Sequence, residues 1–68
     1  MKVKDLKKLL EDADENLDVR VIADHGQVAM LCDTASEEYI DSDEYMAEHV
    51  HPDYVDEETD VKVFLIGD

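Results

Sequence analysis

The chain has 68 residues, of which 44 % are apolar and 38 % charged, with one cysteine and a net charge of -14. That length holds one small domain, a size that buries about 60 % of its unfolded surface. The charge excludes phosphate-rich ligands, so direct binding of DNA, RNA or an anionic membrane is not expected. A lone cysteine excludes an internal disulfide framework, and no run approaches the roughly 20 apolar residues that cross a bilayer.

Val3, Leu6, Leu9, Leu10 and Ala13 recur at three- and four-residue steps, predicting an N-terminal amphipathic helix that ends near Asp14 or Glu15. Lys4, Lys7, Lys8, Glu11 and Asp12 take its other side. Lysines early and carboxylates late oppose the helix macrodipole, at a cost of about 0.3–1 kcal/mol each, which packing of the leucine stripe outweighs. Leu17 reads as a buried anchor in the short connection that follows.

Val19, Val21 and Ala23 alternate with Arg20, Ile22 and Asp24, the pattern of a half-buried strand. Asp24-His25-Gly26-Gln27 supplies a tight turn, and Val28 to Cys32 resumes an apolar run, so a β-hairpin is expected there. Cys32 reads as small core filler, because the acidic residues after it disfavour a reactive thiolate.

Between Asp33 and Asp60 stand twelve carboxylates and no Lys or Arg. Thr34 and Glu37 match a capping box, and Tyr39, Ile40, Met46, Ala47 and Val50 fall within one helical arc. A second, acidic helix is therefore predicted from about Ala35 to His49, with a solvated acidic loop as the rival reading. Pro52 ends it, and Asp53 to Thr59 reads as an exposed linker. A third strand, Val61 to Ile66, turns Val61, Val63 and Leu65 to one face and Lys62, Phe64 and Ile66 to the other. The expected fold is a single α+β domain over 1–68: a three-stranded sheet with a hairpin, an N-terminal helix and a second acidic helix. Both sheet faces are partly apolar, and an uncovered one would suit a homodimer.

Two segments carry a resemblance. Lys2-Val3-Lys4-Asp5-Leu6-Lys7-Lys8-Leu9-Leu10 with Leu17-Asp18-Val19-Arg20-Val21-Ile22-Ala23-Asp24, and the closing Val61-Lys62-Val63-Phe64-Leu65-Ile66, resemble small phage and prophage proteins that open with a Val-x-x-Leu-x-x-x-Leu helix followed by a Val-rich strand. The chain departs from them at Lys2, where Thr or Ser often stands, and at Glu15-Asn16, where the turn often holds Pro. The resemblance implies an α+β fold and a phage setting, hence the cytoplasm of an infected or lysogenic bacterial host. No catalytic residue carries over from it.

No arrangement for catalysis is evident. Gly26 and Gly67 form no phosphate cradle, and the carboxylates lie in polar sequence where nothing raises one pKa selectively. Asp12-x-Asp14-x-Asn16 begins like a calcium loop, but Leu17 and Ala23 occupy its glycine and closing-glutamate positions. His49, His51 and Asp53 would need Cys32 or His25 to complete a zinc set. No enzyme, metal or cofactor is therefore expected.

The sharper expectation is mimicry of nucleic acid. Carboxylates three or four residues apart on a helix stand about 5–6 Å apart, comparable with one phosphate per 3.4 Å along a strand. The residues expected to meet a partner are Glu37, Glu38, Tyr39, Asp41, Asp43, Glu44, Tyr45, Glu48, Asp53, Tyr54, Asp56, Glu57 and Glu58, with the tyrosines as anchors. The partner would be a basic nucleic-acid-handling protein, such as a nuclease, a defence effector or a transcription factor, making the chain an anti-defence inhibitor. The alternative is a non-catalytic assembly accessory whose acidity serves solubility.

Overall fold

The computed structural model describes residues 1–22, 29 and 31–67. In chain order these form a helix α1 (Val3–Glu11), strands β1 (Val19–Val21), β2 (Thr34–Ile40) and β3 (His49–Val50), a single 3-10 turn (Pro52–Tyr54), and strand β4 (Val61–Gly67). The four strands make one mixed sheet in the order β1-β4-β2-β3.

Helix α1 begins where the Asp5 carboxylate accepts the backbone N–H of Lys2 at 3.0 Å, the reach-back half of a capping box. It stops at Glu11, a turn short of the predicted end. The cause is the Asp12-Ala13-Asp14-Glu15-Asn16 stretch, whose short polar side chains compete for backbone groups. Asp14 Oδ1 accepts the Asn16 N–H at 2.9 Å, and its carbonyl accepts that of Leu17 at 3.2 Å. Leu6, Ala13 and Leu17 are half-buried, and α1 packs on β2.

Strand β4 is central because its sequence is apolar on both faces, as a doubly flanked strand requires. It runs parallel to β1, with Arg20 opposite Leu65, and antiparallel to β2 along all seven residues, from Thr34 opposite Gly67 to Ile40 opposite Val61. Opposed residues share a face. One face therefore carries Arg20, Leu65, Val63, Val61, Ile40 and His49, and the other Val19, Val21, Phe64, Ile66, Ala35 and Tyr39. On the first, Ile40 (2 % exposed), Val63 (1 %) and Leu65 form the core cluster, against which Ala47 and Val61 pack. On the second, Ala35 and Phe64 are buried.

The α+β class is as expected, with differences in its parts. The described residues hold four strands rather than three. The segment expected to be an acidic helix is instead β2, the 41–48 connection and β3. A helix there would stack carboxylates at three- and four-residue spacing with no Lys among them. As a strand, the same residues send Glu37 and Glu38 to opposite faces and pair the second edge of β4. Burial of Ala35 and Ile40 on β4 outweighs the capping-box signal at Thr34.

The neighbour of β1 is β4, and Ala29, Leu31 and Cys32 of the expected hairpin's second arm are not in a strand. The hairpin's turn, Asp24 to Gln27, lies outside the described residues.

Candidate functional site: the acidic end of the sheet

Strand pairing gathers the acidic connections. Ile40, the last residue of β2, stands opposite both His49 of β3 and Val61, the first residue of β4. The 41–48 and 51–60 connections therefore emerge at the end of the sheet where β4 begins, and along its β3 edge. The start of α1 is anchored at the opposite end: the Met1 ammonium donates to the Cys32 carbonyl at 3.0 Å, beside the bond from Asp33 N–H to the Gly67 carbonyl. Lys2, Lys4, Lys7 and Lys8, four of the chain's six cations, belong to that helix. Opposite signs thus concentrate in different parts of one small molecule.

Each connection is held by its own carboxylates. Asp41 exchanges two bonds with Glu48: its N–H donates to the Glu48 carbonyl at 2.9 Å, and its Oδ1 accepts the Glu48 N–H at 2.9 Å. Arg20 clamps the middle of that loop from β1. Its guanidinium donates to the Glu44 carbonyl and lies 3.7 Å from an Asp43 carboxylate oxygen. In the second connection, Asp56 Oδ1 accepts the Glu58 N–H at 3.0 Å, and Asp60 Oδ2 accepts that of Asp56 at 2.8 Å. Bonds of this kind turn acidic residues into turn formers.

The expected partner-binding residues divide accordingly. Glu37, Glu38 and Tyr39 sit on β2 and are half-buried. Glu37 Oε2 lies 3.9 Å from Lys62 Nζ on one face, while on the other Glu38 Oε1 lies 3.0 Å from His49 Nε2 and its Oε2 accepts the Ser36 hydroxyl at 3.0 Å. These three line a shallow cavity with Val50, Pro52, Val55 and Glu57 of the second connection. Asp41, Asp43, Glu44, Glu48, Asp53, Asp56, Glu57 and Glu58 are exposed on the two connections. Tyr45 and Tyr54 stand among them, 95 % and 80 % exposed.

The histidines considered as metal ligands are engaged locally. His49 faces Glu38, whereas His51 Nδ1 accepts the Asp53 N–H at 3.1 Å and its ring tilts against Tyr54 with centroids 5.8 Å apart. Among the described residues, no three His, Cys, Asp or Glu side chains gather as a metal site.

Sequence reasoning missed two features. One is Arg20 as the loop clamp, although it is the only cation between Lys8 and Lys62. The other is Met46, counted toward a helix core and found 84 % exposed. It borders an open groove of about 770 Å³ between β1 and the 41–48 loop, with Ile40 and Leu65 among its lining residues.

No helix among the described residues is long and apolar enough to cross a membrane. Comparison of the chain with protein-family models, with curated proteins and with solved structures finds no match.

Proposed function

We propose that this chain is a non-catalytic acidic binding domain that engages the basic groove of a nucleic-acid-handling protein in place of nucleic acid, as a phage-type inhibitor does. The observation that carries this reading is the gathering of eight exposed carboxylates with Tyr45 and Tyr54 on two adjacent connections, away from the lysines at the start of α1. Charge of one sign speeds encounter with an oppositely charged partner, and exposed aromatics supply the anchors that typically dominate interface energy. Glu37 and Glu38 rank behind these eight as contacts because they are half-buried on β2.

The test is binding to a panel of purified nucleases, defence effectors and transcription factors at low and high salt, with duplex DNA as competitor. Binding that weakens with salt, is displaced by DNA, and is lost in an Asp53→Asn, Glu57→Gln, Glu58→Gln variant supports the proposal. Binding indifferent to salt and to DNA, or none across the panel, counts against it.

A second reading, an assembly accessory whose acidity maintains solubility, is favoured by exposed Val19, Val21 and Ile22 beside the sheet edge. Under that reading the triple variant keeps its role.

A further inference from the structure

The groove between β1 and the 41–48 loop has apolar depth and acidic rims. Ile40 and Leu65, buried on the sheet face that Arg20 shares, line it together with Ile22 and Met46, which are 43 % and 84 % exposed. Asp18 and Asp43 line it as well. Among the described lining residues the one Lys or Arg is Arg20, which is already committed to the Glu44 carbonyl and to Asp43. An anionic ligand would thus meet an engaged guanidinium inside a molecule of net charge -14, and the field of the whole chain repels it. Charge complementarity instead selects a cationic occupant, and the exposed apolar sides select one with a large apolar side chain.

Resting on the reading of a basic protein partner, we propose that this groove takes a short segment of that partner in which a leucine-sized side chain is flanked by lysine or arginine. The apolar side chain descends between Ile22 and Met46 toward Ile40 and Leu65. Its flanking cations meet Asp18 and Asp43. The acidic connections would supply long-range attraction, and the groove would decide which basic segments stay bound.

The probes are three end-capped, fluorescently labelled pentapeptides, Lys-Leu-Lys-Leu-Lys, Lys-Ser-Lys-Ser-Lys and Glu-Leu-Glu-Leu-Glu, titrated against the full chain by anisotropy. The lysine–leucine peptide is expected to bind at least about tenfold tighter than the lysine–serine one, since burying one leucine side chain is sufficient for that factor. Ile22→Ser with Met46→Ser should erase the difference without altering charge. Both side chains are exposed and lie outside the core cluster, so circular dichroism of the double variant should match that of the parent chain. Equal binding of the two lysine peptides, or a preference that survives the double variant, overturns the groove while leaving the acidic-end reading standing. Binding of the glutamate–leucine peptide as tight as that of its lysine counterpart overturns the charge argument. Failure of both lysine peptides to bind overturns the groove, while the broader reading is decided separately by salt- and DNA-sensitive binding to the protein panel. A dimer that the double variant dissociates would place a second copy in the groove and also overturn the assignment.

Discussion

Ile40 and Met46 were expected on one buried helical face, and the sheet separates them completely. Ile40 is 2 % exposed against Val63, whereas Met46 is 84 % exposed on the 41–48 loop. Truncating a buried isoleucine to alanine costs about 2–5 kcal/mol, against a total of roughly 3–10 kcal/mol for a chain of this length. Ile40→Ala should therefore lose a large share of the total stability. Ile40→Val is the quantitative probe: about 0.5–1.5 kcal/mol, which for a domain this small lowers Tm by roughly 2–12 °C. Met46→Ser should stay within about 0.5 kcal/mol of the parent, as surface changes do. Urea unfolding followed by far-UV circular dichroism measures both, with an unchanged slope showing that the native state is the same. A Met46→Ser loss equal to that of Ile40→Val would refute the strand assignment and restore a helix through 35–49.

Three other outcomes follow from the same coordinates. Arg20→Met should destabilise by about 1–3 kcal/mol, the range for hydrogen bonds to charged groups, and should speed amide exchange selectively over 43–46; unchanged exchange there would show that the clamp is dispensable. Gly67→Ala should be neutral or stabilising by up to about 1 kcal/mol, because the new Cβ would sit 3.4 Å from Thr34 Oγ1 and 3.6 Å from Ile22 Cβ, without a positive φ; a large loss in chemical denaturation contradicts that packing. Raising sodium chloride from about 0.1 M to 1 M shortens the Debye length from about 10 Å to 3 Å, so Tm should rise as repulsion among the carboxylates is screened. A Tm that falls would mean that pairs such as Arg20–Asp43 and Lys62–Glu37 outweigh the net charge.

Legibility differed by element. The leucine spacing of α1 and the alternation of β1 and β4 were readable because each repeats a period that only one backbone geometry satisfies. β4 extends one residue beyond the expected Val61–Ile66, and its two apolar faces were visible in Val63, Leu65, Phe64 and Ile66. β2 was not readable. Thr34-Ala35-Ser36-Glu37-Glu38-Tyr39-Ile40 suits a helix by capping and arc, and a strand by alternation, so the local signals were balanced. For the candidate site, Tyr45, Tyr54 and the connection carboxylates were named from the sequence. The groove beside them was not, since its lining residues come from three segments of the chain that only strand pairing brings together.

The sequence by itself determined composition-level physics: an α+β chain of net charge -14, with five of its six lysines and arginines in the first twenty residues and an uninterrupted acidic run later. Only the tertiary structure decided where that charge goes. Pairing of β2 with β4 fixes which carboxylates are drawn onto the sheet beside Lys62 and His49 and which are left on connections at one end. Non-local backbone pairing and burial, which no residue's immediate neighbours encode, made that division.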